Sequence, residues 1–107
     1  MTLAENLRAK YALTSLTVLP MAKAVLFVDD NGLIRHALCE MFKREADFEV
    51  CGEAENRKEA IEKAQELRPH LIVLDLSMPV MNGLDAARVL KRLMPTVPLI
   101  MYSALGD

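Results

Sequence analysis

What the chain lacks bounds it first. Its 107 residues hold two cysteines, and both fall in apolar periodic segments. That is too little for a disulfide scaffold and implies a reduced, buried pair. No sign of charge dominates: the net charge is -2 with 26% charged residues, so neither a nucleic-acid nor a membrane footprint follows from composition. No apolar run reaches the roughly 18 residues of a membrane span. The start, "MTLAENLRAK", has no basic segment followed by an apolar stretch, so it does not look like a secretory leader. There is no internal repeat and no low-complexity tract. A single domain located in the cytoplasm is the expectation.

What is present is an alternation. "AVLFVDD" (24–30) is a valine-rich apolar run, consistent with a strand buried on both faces. Asn31 is placed to cap a helix whose apolar positions are Ile34, Leu38, Met41 and Phe42. "FEVCGEA" (48–54) is a second strand, at an edge by its charge. Asn56 and Glu59 open a second helix with a capping-box pattern, its face Ala60, Ile61, Ala64 and Leu67, and Pro69 stops it. "LIVLDL" (71–76) is the most apolar strand and so central. A third helix over 84–94 has Leu84, Ala87, Leu90 and Met94 along one side, and "VPLIMYS" (97–103) is a fourth strand. Strands alternating with helices of this length predict an α/β fold with parallel strands and right-handed crossovers.

In such a sheet, ligands bind beyond the carboxyl ends of the strands. Asp29 and Asp30 close the first strand, Asp75 the third and Ser103 the fourth, so all share one rim. With the first and third strands adjacent, about 5 Å apart, the carboxylates converge. Converging carboxylates resist joint ionisation. A hard divalent cation such as Mg²⁺ is the natural counterweight, since it accepts one or two carboxylates, waters and phosphate oxygens. A carboxylate beside such an ion can attack a phosphoryl group.

The residues that carry these groups resemble a family. "VDDN" after the first strand, "DLSMPVMNG" after the third and "SA" after the fourth are similar to the receiver domain of two-component response regulators, from about Lys23 onward. Asp75 stands 45 residues after Asp30 (75 − 30) and 28 before Ser103 (103 − 75), as that pattern has it. The resemblance implies a flavodoxin-like doubly wound parallel sheet of order 2-1-3-4 and a cytoplasmic phosphoacceptor module that takes phosphate from a histidine kinase. It implies Asp75 as phosphoacceptor, and a Mg²⁺ ligand set of Asp30 directly, Asp29 mainly through water, Asp75, and the backbone carbonyl of Ser77. Ser103 would be the switch hydroxyl. Met78, Pro79 and Gly83 would shape the loop, and Ala104 would be the small residue beside the phosphoryl pocket. Such a module supplies a nucleophile and a metal site without being a turnover enzyme.

The family pattern continues into a fourth helix, a fifth strand ending in lysine, and a fifth helix. Here the sequence stops at "SALGD", and no lysine follows Ser103. The expectation is therefore a truncated receiver over 23–107 with an N-terminal extension over 1–22. The alternative is a phosphorylation-independent interaction protein or receiver fragment. A phosphohydrolase of the haloacid-dehalogenase type, with its nucleophile at the end of the first strand and a second acid two positions on, does not match the adjacent Asp29–Asp30 pair. The stretch 52–91 resembles receivers joined to helix-turn-helix output domains and hence transcription regulation, while this chain itself is expected to bind no DNA. The fourth-strand edge, with Leu99, Ile100 and Met101, predicts self-association. Thr2 and Glu5 form a capping-box pattern, with Leu3, Leu7 and Tyr11 on one helical face, and "SLTVL" (15–19) is strand-like. The four residues from Pro20 to Lys23 reach at most about 14 Å, with no slack to add a fifth strand in the same chain. The extension is therefore expected to lie over apolar surface or to be exchanged with a second copy.

Overall fold

A computed structural model describes residues 2–3, 22–76 and 83–103. Ser77, Met78, Pro79, Ala104 and nearly all of the N-terminal extension lie outside these residues. In chain order the elements are β1 (Lys23–Val28), α1 (Gly32–Lys43), β2 (Phe48–Ala54), α2 (Arg57–Leu67), β3 (Leu71–Asp75), α3 (Gly83–Leu93) and β4 (Leu99–Tyr102). The four strands are all parallel, in the order β2-β1-β3-β4. This is the flavodoxin-like arrangement expected from the alternation, with the valine-rich β1 and the wholly buried β3 as the two interior strands.

Side chains of successive strand residues point to opposite faces, so one apolar run feeds two cores. Val25, Phe27, Leu71 and Val73 face α1, where they meet Cys39, Phe42 and Phe48. Leu26, Val28, Ile72 and Leu74 face α2 and α3, where they meet Ala54, Ala60, Ala64, Ala86, Ala87 and Leu90. The first face is built on aromatic rings. Phe42 stands edge-on to Phe27 at 4.9 Å and to Phe48 at 5.1 Å between ring centroids. Each such pair contributes about 0.5–1.5 kcal/mol beyond its buried area. Leu3 also packs on this face. The two cysteines are both free and lie on opposite faces, Cys39 under α1 and Cys51 beside the α2 side.

β2 departs from simple alternation. Val25 pairs with Val50 but Leu26 pairs with Gly52, so Cys51 is an extra residue, a β-bulge. The bulge changes phase. Before it, Phe48 and Val50 face α1; after it, Gly52 and Ala54 face α2. The helices also differ slightly from expectation. In α1 the fully buried positions are Cys39 and Phe42, with Ile34, Leu38 and Met41 only half-buried. In α3 the buried stripe is Gly83, Ala86, Ala87 and Leu90, and Leu84 is 43% exposed. The stripe starts one residue earlier than the apolar periodicity implied, because Gly83 rather than Leu84 meets the sheet.

Candidate functional site

The carboxyl ends of β1, β3 and β4 form the rim where the sequence concentrates its acids. β1 ends at Val28, but the Asp29 N–H still donates to the Ala54 carbonyl at 3.0 Å, so Asp29 is held by the β2 ladder. The chain then turns sharply into α1. The Asn31 N–H donates to Asp29 Oδ1 at 2.8 Å, and Asn31 Oδ1 accepts from the Leu33 and Ile34 amides at 3.0 and 3.1 Å. Asn31 is thus the expected N-cap, and the turn it makes fixes Asp29 as well.

Asp29 is 0% exposed and Asp75, the last residue of β3, is 2% exposed; Asp30 is half-buried. One oxygen from each of Asp29, Asp30 and Asp75 lies within 4.8 Å of the others. The sequence-predicted acidic trio is therefore one cluster. Burial, and then the negative charge of Asp75, push the Asp29 carboxyl above its usual range, against the lowering effect of hydrogen bonds from Tyr102 and the Asn31 amide. Buried oxygens of one sign in a narrow space suit a hard cation, and the donor set fits Mg²⁺.

Gly83 occupies the first position of α3, and its role is close approach. A Cβ there would lie 2.5 Å from the Asp75 carbonyl oxygen and 2.6 Å from the Leu76 Cα, both backbone atoms that cannot move aside. Only glycine lets α3 begin directly against the end of β3. Ser103 follows β4 on the same rim and is exposed. The roles the resemblance implied for Ser77, Met78, Pro79 and Ala104 fall outside the described residues.

Two contributors were not anticipated from the sequence. Arg35, one turn into α1, donates from Nη1 to the Asp29 carbonyl at 2.6 Å and from Nε to Glu53 Oε1 at 2.8 Å, tying the ends of β1 and β2 to the helix. Tyr102, the last residue of β4, donates its hydroxyl to Asp29 Oδ2. The signal for Tyr102 was its position immediately before Ser103. Strand alternation then turns its ring to the α1 face while leaving its backbone on the rim.

Among known proteins, the Response regulator receiver domain family matches residues 25–107. The chain is 42% identical over 87 residues to the chemotaxis protein CheY of Thermotoga maritima, covering 81% of this chain and 72% of that protein. It is 49% identical over 81 residues to a protein-glutamate methylesterase/protein-glutamine glutaminase of Pyrococcus horikoshii, covering 76% of this chain but 22% of that protein. Among solved structures, the response regulator domain of Thermotoga maritima CheB superposes with a TM-score of 0.73 at 37% identity, over 81% of this chain and 64% of that one. The chain therefore spans about a fifth of the methylesterase, and that protein's ester and amide chemistry does not transfer with the match. These relatives do not show that the chain acts in transcription regulation. Among the described residues no helix is long and apolar enough to cross a membrane.

Proposed function

This chain belongs to the response regulator receiver domain family of two-component signalling, and we propose that Asp75 is its phosphoacceptor. The observation that supports this is the cluster itself: Asp75, nearly inaccessible at the end of β3, has its carboxylate within 4.8 Å of two further acids on one rim. In the transfer, an Asp75 oxygen forms a bond to phosphorus as the bond from phosphorus to a histidine nitrogen of the kinase breaks. The electron pair of that bond returns to the imidazole. The Ser103 hydroxyl, at the end of the neighbouring strand, donates to a phosphoryl oxygen of the product.

Asp29, Asp30 and Asp75 would hold Mg²⁺, with Asp30 the strongest single contributor. When bound, the cation neutralises the crowded carboxylates and the incoming phosphoryl oxygens. The protein's own part is to keep Asp75 on a rigid strand, to orient Asp29 through the Asn31 turn, and to shield the carboxylates from bulk water. The module is modified once per signal and is not a turnover enzyme. It acts in the cytoplasm and does not itself bind DNA; a salt-sensitive shift of duplex DNA at submicromolar protein would count against the second point. Self-association along the outer edge of β4, where Met101 is 47% exposed, belongs to the same reading. Light scattering tests it, and a monomer at tens of micromolar would remove it.

The deciding experiment is mass spectrometry after incubation with acetyl phosphate and Mg²⁺. We expect one added phosphoryl group on Asp75 in the wild type. Asp75→Asn should be folded and unmodified, with residual labelling below about a tenth of wild type, as expected when the sole nucleophile is removed. An adduct on Asp29 or Asp30 would favour phosphohydrolase-like chemistry. A folded wild type with no adduct would favour a phosphorylation-independent interaction protein.

A further inference from the structure

Tyr102 is placed at the acidic rim by its backbone and at Asp29 by its side chain. In the β3–β4 register it lies opposite Asp75, and its carbonyl accepts from the Leu76 N–H at 2.8 Å. Its ring joins the core under α1, and from there its hydroxyl reaches past β3 to Asp29 Oδ2 at the end of β1. Asp29 therefore carries a donor on each oxygen: the Asn31 amide on Oδ1, from the α1 cap, and the Tyr102 phenol on Oδ2, from β4. Two donors on opposite oxygens fix the plane of a carboxylate. Each carboxylate oxygen offers two lone pairs, so each keeps one for another partner. The direction in which those remaining lone pairs point is then set jointly by the helix cap and by Tyr102.

We propose that Tyr102 is a positioning residue for the cation: its hydroxyl holds the Asp29 carboxylate in the orientation in which it joins Asp30 and Asp75 around Mg²⁺. This rests on the reading that those three acids hold Mg²⁺. The competing account is that the phenol has merely found a partner for a half-buried hydroxyl, as tyrosines generally do. The two accounts differ in what they predict for different ions. Groups that orient a metal ligand typically carry 10–100-fold in metal affinity. Mg²⁺ demands near-ideal octahedral geometry, whereas Ca²⁺ tolerates flexible coordination by more oxygens. A lost positioning group therefore penalises Mg²⁺ more than Ca²⁺. A hydroxyl that is only structural affects the two ions alike or not at all.

The chain has two tyrosines and no tryptophan, so Tyr11→Phe leaves Tyr102 as the sole source of tyrosine emission. The test is a set of Mg²⁺ and Ca²⁺ titrations of the full chain, followed by amide NMR shifts in wild type, Tyr102→Phe and Asp30→Ala. Alongside them, the tyrosine emission of Tyr11→Phe is titrated with Mg²⁺. We expect Tyr102→Phe to raise the Mg²⁺ Kd about tenfold or more and the Ca²⁺ Kd by less than about threefold. Tyr102 emission should change with the midpoint of the NMR titration. A Mg²⁺ Kd within about twofold of wild type, below the usual effect of an orienting group, overturns the proposal; so does an equal loss for both ions, or an emission that ignores Mg²⁺. If Tyr102→Phe fails to fold by circular dichroism, the emission titration decides alone. Wild-type Mg²⁺ binding that is indifferent to Asp30→Ala removes the cation reading and this proposal together. Binding that needs Asp30 but not Tyr102 removes only the latter.

Discussion

The two faces of the sheet are built on different side chains, and the difference explains where the site can be assembled. The α2–α3 face is lined by alanines and leucines: Ala54, Ala60, Ala64, Ala86 and Ala87 lie between the sheet and two helices. Small side chains let helix backbones approach closely, and Gly83 carries this to the limit, touching the backbone of Asp75 and Leu76. The α1 face carries the bulkier, thick layer of side chains. Three phenylalanines fill the space between helix and strands, and Tyr102 extends the aromatic layer to the rim. The close face fixes the Asp75 main chain. The thick face supplies the long side chains, Tyr102 and Arg35, that reach Asp29.

The contrast is broken most severely at Phe42. It is fully buried and makes both aromatic contacts. Phe42→Ala should cost about 3–5 kcal/mol, as large-to-small changes in such cores do. Urea unfolding measures it, and a loss below about 1 kcal/mol would mean that the face repacks as freely as a surface.

Gly83→Ala attacks the close face. The added methyl meets backbone, so α3 or the end of β3 must shift, at a cost of about 3 kcal/mol. Gly52→Ala is the control. There the added Cβ meets the tip of Leu67 at 2.7 Å, a flexible and partly exposed side chain that can rotate away. The cost at Gly52 should stay below about 1 kcal/mol. If the two substitutions cost the same, the backbone contact at Gly83 is not what constrains α3.

The difference between faces was only partly legible in the sequence. Element types, order and the acidic trio could be read, because β1 and β3 are uninterrupted apolar runs and the first two helices carry their own caps, Asn31 and Asn56. The inward faces were less legible. A hydrophobic stripe ranks Leu84 above Gly83, since apolarity does not register that a missing side chain permits contact. The bulge at Cys51 was invisible for a related reason: "FEVCGEA" has the right length for a strand, and only pairing with β1 reveals the extra residue. Tyr102 and Arg35 act through contacts far apart in sequence, 73 and 18 positions in the hydrogen bonds to Asp29 and Glu53. No local pattern encodes such distances.

The thick face also makes an alkaline prediction. Burial, followed by the negative charge of Glu53, pushes the Cys39 thiol up to about 11 from an ordinary 9.0. The folded state favours the neutral thiol. The stability this contributes is fully present below pH 9 and is lost as pH rises through about 11. The loss is on the order of 2–3 kcal/mol at most, from a rise of about two units. Urea midpoints between pH 8 and pH 11 should fall in wild type and fall less in Cys39→Ala, measured from each variant's own value at pH 8. Equal slopes would place the alkaline sensitivity elsewhere.

The smallest effect lies outside both faces, at the exposed end of α2. Arg68 caps that helix with φ 51° and ψ 59°, the left-handed conformation that glycine usually occupies, and its N–H donates to the Ala64 carbonyl at 3.0 Å. A side chain in that region costs about 1–2 kcal/mol. Glycine removes the strain but gives back about 0.4–1 kcal/mol through the greater freedom of the unfolded chain. The last turn of α2 holds no basic residue, so Arg68 is also the cation nearest the negative end of the helix dipole, worth a few tenths of a kcal/mol on an exposed surface. These contributions nearly cancel, and Arg68→Gly should stabilise by about 0.5 kcal/mol or less. Arg68→Ala separates them. It loses the same charge and keeps the strained backbone, so it should unfold about 1 kcal/mol more easily than Arg68→Gly. Thermal and urea unfolding of the pair reads that difference directly, and an alanine variant as stable as the glycine one would mean that residue 68 is not left-handed in solution.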